Sequence, residues 1–155
     1  MVKTNVMRLL GAAGISYSAK EYPVDESDLS ALHAAASLDV PAEQVFKTLV
    51  LCGDSGAHFV CCIPGPMELN LKKTARAAGE KSAALIPMKD ILPLTGYVRG
   101  GCSPIGMKKQ FPTFIDETAQ LFDSIIVSAG ERGLQIVINP LDLAGFISAQ
   151  FADLT

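Results

Sequence analysis

Apolar residues recur at helical spacing in several segments of the chain. Val6, Leu9 and Leu10 form the first such group, and Gly14 follows where a helix needs a left-handed cap. The pattern predicts helices over residues 4–13, 29–38, 69–78 and 88–94, and a final helix after Asn139 and Pro140.

Two helix boundaries carry more specific expectations. Ser27 or Asp28 is expected to cap the second helix, and Pro41 to open one further helical turn. The last helix is expected to present one apolar stripe, formed by Leu143, Phe146, Ile147 and Phe151.

Strand patterns lie between the predicted helices. The clearest are residues 48–52 and 58–63, which the turn Gly53–Gly56 joins into a hairpin. Both runs are apolar on both faces, so we expect this hairpin to lie at the centre of a sheet. Further strands are predicted at residues 15–22, 83–86, 97–99, 113–116, 124–127 and 134–138.

Helices and strands therefore interleave along the chain. The tight turn at residues 129–133 requires antiparallel neighbours, which makes the sheet mixed. With 155 residues and 49% hydrophobic composition, the chain is expected to form one domain over residues 1–155. The predicted fold class is α/β of the α+β type, a mixed and curled sheet with helices packed outside.

The composition and the motifs of the sequence argue against several classes of protein. The sequence has no apolar run of membrane-spanning length and no apolar signal core, so we expect a cytoplasmic protein without a membrane partner. Four cysteines include no CxxC pair, and two histidines lie in no zinc-binding motif. GxSxG, Walker and GxGxxG motifs are also missing, so no metal ion or cofactor is expected.

Lys47 interrupts an apolar stretch at the entry of the central strand. One interpretation is a lysine whose stem covers apolar surface while its ammonium reaches water, which is common at strand ends. The other is a cation at a sheet rim that fixes a phosphate or polarises an ester. Its position in the sequence leaves both interpretations open.

A glycine-rich segment follows at residues 98–106. Its three glycines and one proline describe a rigid loop that a ligand can approach closely, and its N–H groups could line an anion nest. An ordinary tight turn is the alternative. Cys102 lies in this loop without a histidine nearby in sequence, and Cys61–Cys62 is most simply explained as core packing.

Charge is unevenly distributed along the chain. The net charge of -3 argues against a nucleic-acid partner, yet residues 66–110 hold eight basic and three acidic groups. That segment carries +5 and the remainder -8, so a polyanion partner becomes plausible, although solvated lysines are the simpler explanation. The candidate polyanion-binding residues in this segment are Lys72, Lys73, Arg76, Lys108 and Lys109.

Several motifs together resemble the YbaK family of aminoacyl-tRNA deacylases. They are VFKTL at residues 45–49, GYVRGGCSPIG at 96–106 with two lysines after it, PTFID at 112–116 and VSAGERG at 127–133. The family includes the editing domain of bacterial prolyl-tRNA synthetases. The resemblance implies a barrel-like mixed sheet, removal of cysteine from mischarged proline tRNA, and action beside prolyl-tRNA synthetase; we expect no DNA partner.

The resemblance also assigns residues to the site. It implies an essential lysine at Lys47, loop glycines at Gly100 and Gly101, a pocket tyrosine at Tyr22 and a pocket serine at Ser128. The predicted pocket further includes Thr48, Ser103, Pro104 and Gln135. Two positions depart from the family pattern, because Gln135 replaces an aspartate and Leu29-Ser30 replaces a phenylalanine.

The implied reaction is substrate-assisted, with the cysteine thiol attacking its own ester to give a thiolactone. Such a reaction needs only positioning and charge stabilisation, so we hypothesise that Gly100 and Gly101 donate to the carbonyl oxygen and Lys47 anchors the terminal adenosine or its phosphate. Three alternatives remain: a deacylase for another small residue such as alanine, a non-catalytic module that binds tRNA or a synthetase, and a thiol-dependent protein that uses Cys61, Cys62 or Cys102.

Overall fold

A computed structural model describes residues 3–155. Residues 3–155 contain five α-helices: α1 (Asn5–Ala12), α2 (Ala31–Leu38), α3 (Leu71–Ala78), α4 (Ile91–Thr95) and α5 (Pro140–Ile147). Short 3₁₀ helices cover Ala42–Gln44, Met88–Asp90 and Glu117–Leu121. Side chains cap four of the α-helices at their N-termini: Thr4, Ser30, Asn70 and Asn139. None of the helices in this range is long and apolar enough to cross a membrane.

The strands form two sheets. They are β1 (Tyr17–Glu21), β2 (Phe46–Gly53), β3 (His58–Pro64), β4 (Ala83–Leu85), β5 (Thr113–Asp116), β6 (Ile125–Glu131), β7 (Leu134–Ile138) and β8 (Gln150–Ala152). The smaller sheet is antiparallel, in the order β1-β7-β6. The larger sheet has the order β4-β2-β3-β5-β8 and mixes antiparallel pairs with the parallel pairs β3–β5 and β5–β8. The predicted mixed α/β fold is confirmed, and the sheet is divided in two.

The β2–β3 hairpin is central, as its sequence predicts. It pairs in register from Phe46 with Pro64 to Cys52 with His58, and β4 and β5 flank it. Four of its even-numbered residues, Phe46, Val50, Val60 and Cys62, belong to the main core, which α1, β6, β7 and α5 complete. On its other face, Leu51, Phe59, Cys61 and Ile63 belong to a second apolar cluster beside α3. Burial on both faces explains why neither run alternates with polar residues.

The two sheets are joined where Val45 forms a parallel bridge with Ile126 of β6. One edge of β2 pairs with β3 along its length, whereas the other edge pairs with β4 only from Leu51 to Gly53. The edge between Val45 and Val50 therefore faces a gap between the two sheets. This gap is the place in the fold where a ligand can reach strand backbone.

The predicted strand at residues 97–99 is wrong. The chain there is an irregular loop, in which the Tyr97 N–H donates to Thr95 Oγ1 at 3.0 Å instead of to a neighbouring strand. Gly100 adopts a φ of +85°, which L-residues with a side chain rarely take and which turns the chain out of an extended path.

Two helix boundaries also differ from the predictions. The N-cap of α2 is Ser30, whose hydroxyl accepts from the His33 N–H, and not Ser27 or Asp28. The last helix ends at Ile147 because Ser148 takes a left-handed conformation with φ 54°. Phe151 therefore does not continue the apolar stripe of α5. It lies in β8, where it pairs with Ile115 of β5.

Candidate active site

A cavity of about 580 Å³ occupies the gap between the sheets. The β2 edge from Val45 to Val50 forms one wall, and Ser128 and Gln135 of the smaller sheet form the floor. Loops around residues 27–30, 85–91 and 99–102, with the start of α2, complete the lining. The cavity brings together six of the residues predicted from sequence: Tyr22, Lys47, Thr48, Gly100, Ser128 and Gln135.

Lys47 is half-buried in the cavity wall. Its Nζ donates a hydrogen bond to the carbonyl oxygen of Gly65 at 3.1 Å, which fixes the ammonium at the end of the hairpin. Burial lowers the pKa of Lys47 below its ordinary value, and the carboxylate of Glu68 opposes that shift. The side chain therefore does more than extend into water, and it places a partly desolvated cation beside the cavity.

Thr48 offers its backbone to the same cavity. Gly65 N–H donates to the Val45 carbonyl at 2.7 Å and Gly53 N–H to the Ala57 carbonyl at 2.9 Å, so odd-numbered residues of β2 bond to β3. Even-numbered residues direct their N–H and C=O groups to the opposite edge. Thr48 is one of them, and its peptide groups face the gap, while its Oγ1 lies 3.8 Å from the sulfur of Cys62.

The floor of the cavity consists of polar side chains on paired strands. Ser128 of β6 lies opposite Gln135 of β7, and the two residues are only 8% and 5% exposed. Ser128 Oγ accepts from the Gly130 N–H at 3.1 Å. Tyr22 follows β1 and brings its hydroxyl to 3.5 Å from Nε2 of Gln135. Tyr22, which is distant in sequence from the other two residues, joins them because β7 lies between β1 and β6.

The glycine loop contributes its first glycine to the cavity. Gly100 lines it, and within residues 3–155 its N–H donates to no backbone carbonyl. The N–H of Gly101 is already used, because it donates to the Val98 carbonyl at 3.0 Å. This geometry favours Gly100 over Gly101 as a donor to a ligand.

Three residues predicted for the site lie behind the loop instead of on the lining. A Cβ on Gly101 would lie 3.1 Å from the backbone nitrogen of Arg132, so this glycine permits a close approach of two segments of the chain. Ser103 is fully buried and its Oγ accepts from the Ile105 N–H at 3.3 Å. Pro104 is also buried. Their side of the loop packs against the protein and leaves the other side for a ligand.

The thiols of Cys61, Cys62 and Cys102 are poor nucleophiles. Burial raises the pKa of Cys102, a residue of the cavity lining, to about 11. Burial also raises the pKa of Cys62 to about 12 and that of Cys61 still further. Because the thiolate is the reactive form, these shifts argue against the thiol-dependent alternative.

The candidate tRNA-binding residues lie outside the cavity lining. Lys73 of α3 forms an ion pair with Asp153 at 2.8 Å, whereas Lys72 and Arg76 are exposed on the same helix. Lys108 and Lys109 are exposed after the glycine loop. Their positions suit contacts with a polyanion larger than the cavity and not with the group held inside it.

Sequence reasoning missed several residues at the mouth of the cavity. Arg99 and Asp28 line it, and so do the apolar side chains of Met88 and Ile91. Arg99 could have been identified, because it directly precedes the two loop glycines. The apolar pair gave no signal, since its spacing fits an ordinary helix face.

Comparison with known proteins identifies the family. The sequence matches the aminoacyl-tRNA editing domain family over residues 26–146. A protein of Enterococcus faecalis named "Putative Cys-tRNA(Pro)/Cys-tRNA(Cys) deacylase EbsC" is 46% identical over 153 residues, which are 99% of this chain and 93% of that protein. This chain therefore belongs to the aminoacyl-tRNA editing domain family, and the resemblance to YbaK is confirmed.

More distant relatives support the same family and fold. A proline–tRNA ligase of Lactobacillus delbrueckii subsp. bulgaricus is 28% identical over 120 residues, which are 77% of this chain and 21% of the ligase. The solved structure of "a putative trans-editing enzyme for prolyl tRNA synthetase" aligns with a TM-score of 0.82 at 24% identity, over 100% of this chain and 99% of that one. The hypothetical protein APE2540 gives a TM-score of 0.88 at 22% identity, over 97% and 99%. These two structures establish the fold.

Proposed function

We propose that this chain is a trans-editing deacylase that removes cysteine from mischarged proline tRNA. The observation that carries the proposal is the cavity, where a fixed cation, a free loop amide and the hydroxyl-bearing residues Tyr22, Thr48 and Ser128 line one volume. The name of the relative from Enterococcus faecalis supports cysteine as the amino acid. We further propose that residues 1–155 act as a single editing domain.

The proposed reaction uses the thiol of the substrate. Its sulfur attacks the ester carbonyl carbon, so an S–C bond forms and the bond from that carbon to the ribose oxygen breaks. The ribose oxygen takes up the proton that the thiol gives up. The products are a four-membered cysteine thiolactone and tRNA with a free terminal hydroxyl, and no water is consumed. The raised pKa of Cys102 supports this route over attack by a thiol of the protein.

Different residues of the cavity have different roles in this reaction. Gly100 N–H donates to the carbonyl oxygen, where negative charge develops as the sulfur attacks. The Lys47 ammonium anchors the terminal adenosine or its phosphate and so places the ester against the loop. Tyr22 and Ser128, with Thr48 on the β2 edge, shape the space for the aminoacyl group. These roles need positioning and one cation, which the described residues supply.

We propose that the tRNA is held by the basic residues outside the cavity. Lys72, Arg76, Lys108 and Lys109 are exposed and lie in the segment of net charge +5. Positive groups of this kind bind phosphates without reading bases, so they give affinity without choosing proline tRNA. Prolyl-tRNA synthetase is the proposed partner that supplies this choice.

The test compares three aminoacyl esters on the same proline tRNA. We expect fast deacylation of cysteinyl-tRNA(Pro), and rates near the uncatalysed value for the S-methylcysteinyl and alanyl esters, because neither carries a free thiol. Equal rates for the cysteinyl and S-methylcysteinyl esters would contradict thiol attack. A faster rate on the alanyl ester would support the alanine alternative, and binding without deacylation would support a non-catalytic module.

A further inference from the structure

Gln135 carries a buried polar atom that nothing in the described chain satisfies. Its Oε1 has no hydrogen-bond partner among residues 3–155, although the residue is only 5% exposed. An unpaired buried carbonyl costs free energy, so such atoms are uncommon in folded proteins. Gln135 also lines the cavity. The unpaired atom therefore belongs to the site and marks a place where a ligand is expected to donate.

Rotating the Gln135 side-chain amide by half a turn would still leave one of its two polar atoms without a partner. Tyr22 is the polar neighbour of the Gln135 amide, at 3.5 Å from Nε2, and its hydroxyl can either donate or accept. Exchanging Oε1 and Nε2 would pair the oxygen with Tyr22 and leave the nitrogen unpaired. In the orientation that the structure shows, Nε2 contacts Tyr22, so the group left free at the floor is the acceptor Oε1.

The charges around the cavity limit what this acceptor can bind. Lys47 and Arg99 bring positive charge to the lining, while the carboxylate of Asp28 lies at the exposed rim and accepts from Ser30 Oγ at 2.6 Å. An α-amino group ordinarily has a pKa of about 7.7–8.0, so its neutral form is available near physiological pH, and the cations of the lining favour that form. A neutral amide oxygen on the floor accepts from an amino N–H in either protonation state.

We propose that Gln135 accepts a hydrogen bond from the α-amino group of the aminoacyl ester and so selects esters that carry a free amino group. The assignment rests on the proposed function and names the substrate group that Gln135 binds. The other donors near the ester are the substrate thiol and the neighbouring ribose hydroxyl. The thiol is a weaker donor and must point at the carbonyl carbon to react, and the ribose hydroxyl is common to the two substrates compared below. The amino group is free to face the floor.

The test compares kcat/KM for two substrates with two proteins, in all four combinations. The substrates are cysteinyl-tRNA(Pro) and 3-mercaptopropionyl-tRNA(Pro), which keeps the thiol and ester but lacks the amino group. The proteins are the wild type and Gln135→Leu, which is similar in size and has no polar atom. We expect Gln135→Leu to lower kcat/KM about tenfold on the cysteinyl ester, the size of one hydrogen bond to such a group, and less than about twofold on the other.

The outcomes separate the possible roles of Gln135. An equal loss on both substrates would overturn the assignment, because it would mean that Gln135 binds the thiol or ribose or merely supports the fold. A Val137→Ala variant, altered on the same strand outside the cavity lining, controls for loosening of that strand. It should affect the two substrates equally.

A binding measurement tests the assignment without catalysis. Adenosine with a 3′-amide-linked cysteinyl group is compared with its 3-mercaptopropionyl counterpart, and neither contains a cleavable ester. Wild type should bind the cysteinyl compound about tenfold more tightly, and Gln135→Leu should bind the two alike. If wild type binds this way but deacylates neither tRNA, the proposed function fails and the assignment stands. If wild type binds both compounds equally, the assignment fails.

Discussion

The side chain of Arg132 donates a hydrogen bond from Nε to the carbonyl oxygen of Arg99 at 2.8 Å. This contact joins the turn between β6 and β7 to the loop that carries Gly100. Gly101 lies in the same contact. The backbone of residues 131 and 132 is within contact distance of the place that a Cβ on Gly101 would occupy. The glycine loop is thus fixed to the sheet that forms the cavity floor.

Gly100→Ala should slow deacylation with a modest loss of stability. The residue has a φ of +85°, and a Cβ there would lie 3.1 Å from the Cβ of Leu29 across the cavity mouth. The strained conformation costs about 1–2 kcal/mol, and the contact displaces the loop amide from the ester. We expect at least a tenfold loss of kcat, measured with excess cysteinyl-tRNA(Pro), for a displaced donor.

Gly56→Ala is the matched control for that substitution. Gly56 has a similar φ of +89° in the β2–β3 turn, but a Cβ there meets nothing within 4 Å. It should lose a comparable free energy of unfolding and keep its activity. Equal losses of activity in the two variants would mean that the effect comes from general destabilisation and not from the position of the loop.

Alkylation of Cys102 should be slow near neutral pH. The buried thiol has a pKa of about 11, so its thiolate fraction, and with it the rate of reaction with iodoacetamide, should rise tenfold per pH unit from pH 7 to 10. Peptide mass spectrometry can follow this cysteine alone, since trypsin releases it between Arg99 and Lys108. A rate that levels off near pH 8 would show an activated thiol.

The same thiol makes stability depend on pH. In the unfolded chain its pKa is close to 9, so between pH 9 and about 11 the folded protein holds a proton that the unfolded chain has lost. Raising the pH through this window should therefore lower the free energy of unfolding in urea. A Cys102→Ala variant should show a smaller decline, and an unchanged decline would assign the effect to other groups.

Local patterns in the sequence predict most elements of this fold but not its pairing. The hairpin of β2 and β3 and the helix after Asn139 carry their own signals of turn, cap and apolar period. β8 has no such signal, because Phe151 becomes part of a strand only through pairing with Ile115 of β5. The division into two sheets likewise depends on contacts between distant segments.

The candidate site, like the fold, is predicted only in part by local sequence. Lys47 and Thr48 are adjacent, and the glycine loop is visible in the sequence as a cluster. Nothing local indicates that Tyr22 contacts Gln135, which lies 113 positions away, because β1 and β7 must first pair. The sequence also does not show which side of the glycine loop faces the cavity, and so Ser103 is predicted for the pocket although it packs inward.

The exposed basic residues should govern the salt dependence of tRNA binding. A Lys72→Ala and Lys108→Ala double variant removes two exposed charges, so the slope of log Kd against log salt should decrease by about 1.4–1.8. Lys73→Ala should change the slope less, because Asp153 already neutralises part of that charge. Lys3→Ala, outside the basic segment, is the control. A flat salt response of the wild type would contradict a tRNA-facing surface.

Lys47 is the residue on which the account depends most. Its ammonium is fixed by the Gly65 carbonyl at 3.1 Å beside the cavity, so the rest of the site should persist when the charge is removed. The most direct measurement is single-turnover deacylation of cysteinyl-tRNA(Pro) by wild type and Lys47→Ala, with thermal unfolding as a check of folding. We expect wild type to clear the ester and a folded Lys47→Ala to lose about a hundredfold in rate, because the ester is no longer held in position against the loop. Wild-type deacylation by folded Lys47→Ala would contradict the account.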